Sequence, residues 1–369
     1  MWPYWALFLF PAIQAVTSRR LVYVPLSSNR LPDKWRVMWV ALVLIIGLRY
    51  EVGGDWNRYL LLIQEVADDG IDKSLSVSDP AYSLLNWFAA HSGAGVYLIN
   101  IVFAALFSCG LVVFCRNQPR PWLALVVAVP YLVTVVAMGY ARQSAAIGLA
   151  MLGMVALLSG NIWKFCIWIV LAAAFHKSAV ILIPLALLRK NRRWFSASIW
   201  IGVIFGLSYI LFLQETLDAL IAGYIGARYD ASGASIRIAM NVLPALILLL
   251  NRKRFKLPLS QRIFWTWMAW GALALAVLLC ISPSSVAVDR VALYWMPLQL
   301  FVWSRVPDAM GRPGKTNAAT WVYIVVGYSA LAHAVWLLFA THAHYWIPYR
   351  FYPFVWMQQR MDLENWLIL

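Results

Sequence analysis

Long apolar runs recur along the whole chain, separated by polar connections. Most runs have about 16 to 22 residues, the length of a helix that crosses a lipid bilayer. Such runs must be helical, because lipid offers no hydrogen-bond partner to the backbone. We interpret as spans the runs at residues 2–17, 35–50, 96–115, 121–138, 142–159, 161–175, 177–188, 196–213, 237–251, 262–281, 289–304 and 319–340. The pattern predicts an all-α, polytopic integral membrane bundle of about 10–12 transmembrane helices, forming a single domain over residues 1–369.

Composition and charge agree with this class and add an orientation. The chain is 63% hydrophobic and 12% charged, whereas about a quarter of the residues in a soluble protein are charged. Of its 30 Lys and Arg residues, 20 fall in one alternating set of short connections that contains only two acidic residues, Asp33 and Asp308. The positive-inside rule places this set in the cytoplasm and both termini in the periplasm. We therefore attribute the net charge of +15 to the orientation of the chain in the membrane and not to nucleic-acid binding.

The longer connections all belong to the other, outer face. They are the loops at about 51–95 and 214–236 and the tail at 341–369. Because binding and catalytic residues concentrate in loops on a rigid scaffold, we expect outer-face loops to form the site. The four cysteines lie in apolar runs without the spacing of a zinc site, so we predict no metal site.

Two short apolar stretches within 161–188 predict a broken helix hairpin. Its tip carries His176 and Lys177 at or below the outer surface. A charged tip at this depth is tolerated where it faces a water-filled cavity or protein partners. The alternative is a turn at the interface from which Lys177 reaches the headgroups.

Arginine dominates the basic residues of the outer face, by eight to two over lysine. Its planar fork suits phosphate, so the set predicts a site for an anionic group attached to a lipid, most simply a diphosphate. Two alternatives stay open for individual residues. Arg49 can extend to the headgroups, and neighbours such as Asp289 and Arg290 can form structural ion pairs.

Four outer-face motifs, taken in order, resemble the O-antigen polymerase (Wzy) group, in particular its EpsG-like branch of polysaccharide polymerases. They are Arg-x-x-x-Gly-x-Asp-x-x-x-Tyr at Arg49, Gly53, Asp55 and Tyr59; Asp79-Pro80-x-Tyr82-x-x-Leu85-Asn86, where the branch has glutamate first; Arg142-Gln143; and Phe175-His176-x-Ser178-Ala179. The resemblance covers residues 40 to 190 well. Asp289-Arg290-x-x-x-Tyr294 is a weaker match, and the last 60 residues carry no motif of the branch.

The resemblance implies a GT-C-like membrane glycosyltransferase that uses neither a metal nor another cofactor. Such an enzyme polymerises undecaprenyl-diphosphate-linked oligosaccharide repeat units on the periplasmic face of the bacterial inner membrane. The growing glycan passes from its lipid diphosphate to the non-reducing-end hydroxyl of a new lipid-linked unit. Its partners are the lipid-linked donor and acceptor, the membrane lipid and, as a candidate, a chain-length regulator protein; nucleic acid is not expected.

Residue chemistry then suggests a role for each outer-face candidate. A histidine or a desolvated carboxylate suits a general base, and fixed positive charge suits a leaving diphosphate. We assign catalysis to His176 and Asp55; diphosphate binding to Arg142, Arg290, Arg49 and Arg228; and sugar or acceptor binding to Tyr59, Tyr82, Asn86, Tyr140, Gln143 and Tyr294.

Three other functions share parts of this pattern. A flippase or transporter for the same lipid-linked glycan also needs a cationic cavity, but one open to both faces. An O-antigen ligase uses the same donor, but typically carries its largest outer loop late in the chain, whereas here that loop is early. A membrane O-acyltransferase would use His176, but its donor is usually cytoplasmic, where this chain has no polar chemistry.

Overall fold

A computed structural model of the chain confirms the predicted class. It is 84% helical, and its described residues form no strand. The structure describes residues 1–18, 31–77, 79–188, 199, 201–208, 233–282, 285–311 and 317–368. Arg228 and most of the predicted 214–236 loop lie outside these ranges.

Helices follow one another along the chain with short connections. The first eight are α1 (Trp2–Thr17), α2 (Asp33–Gly47), α3 (Trp56–Val77), α4 (Pro80–His91), α5 (Gly95–Arg116), α6 (Pro121–Ala128, continued as a π-helix over Val129–Ala137), α7 (Ala141–Leu158) and α8 (Ile162–Phe175). A 3-10 helix, Lys177–Leu188, comes next. The described part then continues with α9 (Ala234–Leu250), α10 (Leu259–Ile281), α11 (Ser285–Ala292), α12 (Met296–Trp303), α13 (Val306–Met310), α14 (Ala318–Phe339) and α15 (Tyr352–Ile368).

Among the described helices, four are long and apolar enough to cross a membrane: α5, α7, α10 and α14. Shorter apolar helices are Pro121–Ala137, α8, Lys177–Leu188 and α9. The structure thus supports a polytopic membrane protein, while the total of 10–12 crossings stays a prediction. The predicted break within 161–188 is present, because α8 ends at Phe175 and His176 adopts an extended conformation.

The predicted span at 289–304 is helical as far as Trp303, but it is not one continuous α-helix. The chain forms α11, a 3-10 turn and then α12 instead. Pro297 lies in the first turn of α12, where its missing N–H is tolerated, whereas inside a continuous helix it would break the hydrogen-bond ladder. The outer connection at 51–95 is also largely helical, since it contains α3 and α4.

Glycine lets α5 and α7 pack closely. A Cβ atom on Gly110 would lie 1.9 Å from the carbonyl oxygen of Gly148, and one on Gly148 would lie 2.5 Å from the Cα of Phe107. Small residues at such a crossing let two backbones approach, which is a common way of packing membrane helices. This contact sets the position of α7, whose first turn carries Arg142 and Gln143.

Residues assigned to the same predicted face contact one another. Arg120 pairs with Asp308 at 3.0 Å, and Arg305 donates to Gln118, all in the predicted cytoplasmic connections. At the opposite end, the N-terminus of α1 meets the tail, where the Tyr4 hydroxyl donates to a backbone carbonyl at 2.6 Å. Which end faces the periplasm stays a prediction.

Gly110→Ala is expected to lower the free energy of unfolding by about 1 to 3 kcal/mol, because the new methyl group overpacks the α5–α7 contact. The measurement is thermal unfolding of the purified protein in detergent. Gly327→Ala is the matched control in α14, since a Cβ atom there meets no atom within 4 Å. Equal unfolding temperatures for the two variants would contradict this packing.

Candidate functional site

One buried carboxylate, that of Asp79, joins three segments at the outer end of the bundle. Its Oδ1 accepts a hydrogen bond from the backbone N–H of Lys177 at 3.1 Å, and its Oδ2 accepts from Arg142 Nη1 at 3.3 Å. Helix α4 begins at Pro80, directly after Asp79. The carboxylate makes no capping bond to α4, however, because it is used by the other two segments. Burial raises the pKa of Asp79, while the charge of Arg142 acts in the opposite direction.

Arg142 lies in the first turn of α7, beside an aromatic ring and the carboxylate of Asp79. Its guanidinium carbon is 4.9 Å from the ring centre of Tyr82, a cation–π distance. The side chain is 33% exposed, against 6% for its partner Asp79. Arg142 is therefore the more exposed member of this ion pair.

Arg290 approaches the same cluster from α11. Its Nη1 donates to Oε1 of Gln143 at 3.4 Å, and its backbone carbonyl accepts from Nε2 of Gln143 at 2.6 Å. The guanidinium also lies over the ring of Tyr140, 4.5 Å from its centre. Within the described part of the chain, no carboxylate forms an ion pair with it. Gln143 therefore holds a positive charge that is not neutralised by a described residue.

His176 lies at the break after α8, where three positive charges act on it. Burial, followed by the charges of Arg142 and Arg290 and then that of Lys177, lowers the pKa of His176 to about 3. The imidazole is therefore neutral at pH 7 and able to accept a proton. It makes no hydrogen bond to another described residue.

Tyrosines and amides line the space around these charges. The Tyr59 hydroxyl accepts from the backbone N–H of Ala141, and the Tyr294 hydroxyl accepts from Ser178 Oγ, both at 3.2 Å. The hydroxyl of Tyr82 and Oδ1 of Asn86 are buried, and neither has a partner among the described residues.

Asp55, at the turn before α3, belongs to the same region. Burial raises the pKa of the Tyr59, Tyr82 and Tyr140 hydroxyls, and the nearby negative charge of Asp55 raises it further. The structure thus brings together ten of the predicted site residues: His176, Asp55, Arg142, Arg290, Tyr59, Tyr82, Asn86, Tyr140, Gln143 and Tyr294.

Comparison with models of protein families identifies the family to which the chain belongs. The model described as the EpsG family matches residues 35–351. The chain belongs to the EpsG family. This is a family of Wzy-like polysaccharide polymerase-type proteins. No curated protein and no solved structure matches the chain significantly.

The EpsG match extends well beyond residues 40 to 190, where the sequence motifs are clear. It continues to residue 351, so it includes most of the last 60 residues, in which the sequence showed no motif of the branch. In the structure, the C-terminal part of the matched region contacts the first outer motif. Arg49 and Phe351 form an antiparallel bridge, and the N–H of Gly53 donates to the carbonyl of Tyr345 at 3.0 Å. The EpsG tail is therefore built into the first outer motif.

Arg49 is placed differently from the other predicted diphosphate ligands. It is only 1% exposed, and its guanidinium donates to the carbonyls of Ile46 at 2.6 Å and Val52 at 3.1 Å. In this conformation Arg49 satisfies backbone carbonyls at the end of α2, and its role toward a diphosphate stays a prediction.

The pairing of Arg237 with Asp289 was not predicted. Two parallel bonds join them, from Nε to Oδ1 at 2.6 Å and from Nη2 to Oδ2 at 2.9 Å. Asp289 is thereby directed away from Arg290, its neighbour in sequence. Both residues were recognisable as polar groups at the outer ends of apolar runs, but sequence spacing does not identify partners on different helices.

Among the described residues, no group of three or more His, Cys, Asp or Glu side chains is arranged to hold a metal ion. Metal independence stays a prediction for this EpsG-family chain.

Gly53→Ala is expected to destabilise the protein, while Gly54→Ala leaves it nearly unchanged. Gly53 has a φ of +104°, and a Cβ atom there would lie 2.4 Å from the carbonyl oxygen of Met138. A Cβ atom on Gly54 meets nothing within 4 Å. We expect Gly53→Ala to cost about 1 to 3 kcal/mol, measured by thermal unfolding in detergent. The opposite order of the two variants would refute this placement of the first motif.

Proposed function

We propose that this chain is a GT-C-like glycosyltransferase that polymerises undecaprenyl-diphosphate-linked oligosaccharide repeat units. It transfers the growing glycan from its lipid diphosphate to the non-reducing-end hydroxyl of a new unit, at the periplasmic face of the bacterial inner membrane and without a metal. The observation that carries this proposal is the convergence of Arg142 and Arg290 on the neutral imidazole of His176. Family membership supports the polysaccharide polymerase-like role.

In this mechanism, Arg142 and Arg290 bind the diphosphate of the donor. The bond between the anomeric carbon and the phosphate oxygen breaks, and the oxygen keeps the electron pair. Fixed guanidinium groups stabilise the charge that develops on this oxygen, and they need no reorganisation during the reaction. Each arginine is already oriented by a ring, Tyr82 or Tyr140, so little side-chain freedom is lost on binding.

His176 takes the proton of the acceptor hydroxyl while that oxygen bonds to the anomeric carbon. In the free protein its pKa of about 3 makes it a weak base. A bound diphosphate brings negative charge beside Arg142 and Arg290 and opposes their effect on the imidazole. The pKa of His176 therefore rises when the donor binds, and the base becomes stronger when it is needed. Asp55 is the second candidate for this proton.

The tyrosines and amides of the cluster hold the sugars. The unpartnered hydroxyl of Tyr82 and the amide oxygen of Asn86 suit sugar hydroxyls, because each buried polar atom gains a hydrogen bond when a sugar enters. Tyr59, Tyr140, Gln143 and Tyr294 complete the proposed sugar and acceptor site. A chain-length regulator protein remains a candidate partner.

Arg142→Ala is expected to lower the polymerisation rate by about 100- to 1000-fold, because it removes a cation from the site of developing charge. Purified protein is incubated in detergent with a lipid-diphosphate repeat unit and a chelator, and the products are separated on a gel. The unmodified protein should give a ladder spaced by one repeat unit. Arg252→Ala, which alters an exposed arginine at the opposite end of the bundle, should give the same ladder.

Arg142→Lys separates catalysis from folding, since a lysine can still pair with Asp79 but lacks the guanidinium fork. A normal ladder from Arg142→Ala would sink the assignment of this residue. If the unmodified protein binds the substrate but forms no ladder, a ligase or flippase function becomes the better explanation.

The pH dependence provides a separate test of His176. The profile of kcat/KM reports the free enzyme, and that of kcat reports the complex. We expect kcat/KM for the donor to stay constant as the pH falls through 6.5 to about 5, because the free imidazole is neutral above pH 3 or so. The acid limb of kcat should lie at higher pH, since bound diphosphate raises the pKa. An acid limb of kcat/KM near 6.5 would contradict this environment.

A further inference from the structure

The π-helix that continues α6 ends beside the proposed site. Its last residue is Ala137, the chain stays helical to Gly139, and Tyr140 alone separates it from the start of α7 at Ala141. The ring of Tyr140 lies 4.5 Å from the guanidinium carbon of Arg290. π-Helices are rare and occur frequently at functional sites. The orientation of the Tyr140 ring therefore depends on what holds the end of this helix.

Trp346, in the C-terminal tail, packs against this end of the π-helix. It is only 4% exposed, and its indole N–H donates to the carbonyl of Thr134 at 2.8 Å. The six-membered part of the indole lies on Gly139. A Cβ atom on Gly139 would be 2.6 Å from Cζ2 and 2.9 Å from Cη2 of Trp346. The residue directly before Tyr140 therefore has no side chain because the indole occupies that space.

Contacts from three other elements hold Trp346 itself in place. Its backbone carbonyl accepts a hydrogen bond from the Tyr4 hydroxyl of α1 at 2.6 Å. The ring of Trp336 in α14 packs edge-on against the indole, with ring centres 5.0 Å apart. The carbonyl of the preceding residue, Tyr345, accepts from the N–H of Gly53 in the first outer motif at 3.0 Å. A side chain that is locked by packing and hydrogen bonds in this way can hold a neighbouring group in a fixed geometry.

We infer that Trp346 is a positioning residue for the proposed reaction. It fixes Gly139 and, with it, the ring of Tyr140 on which the guanidinium of Arg290 lies. The inference rests on the proposed function, because that function assigns Arg290 to the diphosphate of the donor. A displacement of about 1 Å in a catalytic site can cost about 100-fold in rate. Trp346 therefore acts through Tyr140 and not on the substrate, and the tail becomes part of the catalytic unit.

The test changes the contact from both sides in the full-length protein in detergent. Trp346→Phe removes the indole atoms on Gly139 and the donor to Thr134, whereas Gly139→Ala forces a methyl group against the indole. Each variant should lower kcat/KM for the lipid-linked donor at least about tenfold. Each should also weaken the binding of farnesyl diphosphate, a prenyl diphosphate without sugar, by about three- to tenfold, since a misplaced guanidinium loses part of a charge-assisted hydrogen bond.

The double variant, Gly139→Ala with Trp346→Phe, tests whether the contact itself matters. The new methyl group fills space that the indole leaves, so the double variant should recover at least about threefold in kcat/KM over the weaker single variant. Trp122→Phe is the matched control. Trp122 is 7% exposed and stacks on Trp35 at the opposite end of the bundle, with ring centres 4.0 Å apart. This variant should keep kcat/KM and binding unchanged, even where its unfolding temperature falls as far as that of Trp346→Phe.

Failure of the proposed function is recognised separately, because the unmodified protein then gives no ladder. Binding of farnesyl diphosphate decides the inference in that case. If Trp346→Phe does not fold, Gly139→Ala decides, since it disturbs the same contact from the other side. The inference is overturned if the single variants lower the unfolding temperature but keep kcat/KM and binding, or if the double variant is no better than the weaker single variant. It is also overturned if farnesyl diphosphate does not bind the unmodified protein.

Discussion

The carboxylate of Asp79 is the constraint on which the outer site depends. A buried carboxylate must be compensated, and here an N–H at the start of the 3-10 helix and one arm of Arg142 do so. The same group therefore locates α4, α7 and the segment after His176 relative to one another. The guanidinium of Arg142 contacts this carboxylate at 3.3 Å, and its side chain stays 33% exposed. One carboxylate therefore positions both the start of the 3-10 helix and the arginine of α7.

Ion pairing separates the arginines that support the fold from those that are left for a ligand. Two hydrogen bonds join the guanidinium of Arg237 to the carboxylate of Asp289. This ion pair compensates the charge of Arg237 and fixes α9 against α11. Arg290, one residue after Asp289, has only an amide and an aromatic ring as partners within the described residues. A structural pair thereby removes the carboxylate that would otherwise neutralise the adjacent arginine. The sequence left two roles open for each outer arginine, a structural ion pair or the binding of an anion. Arg237 has the first role, and Arg290 is left for the second.

Sequence patterns predicted the class of the fold and the break at His176, because these depend on the length of the apolar runs and on the polar residues that interrupt them. They missed α3, although Trp56, Tyr59 and Val66 recur at helical spacing and are buried. The partner of Asp289 and the docking of the tail on Arg49 were beyond reach for another reason. Both depend on how helices distant in sequence are rotated against one another, which one sequence does not encode in its spacing.

The two motif arginines Arg49 and Arg142 differ because they lie at opposite ends of helices. The last turn of a helix has free carbonyls, so an arginine that follows α2 can satisfy its donors locally, as Arg49 does with Ile46. The first turn has free N–H groups and a positive dipole, so Arg142 finds no acceptor in its own helix end. The carboxylate of Asp79, which comes from the start of another helix, contacts it instead. Arg142 is therefore positioned by the packing of α7 against the start of α4, whereas Arg49 is positioned by its own helix end.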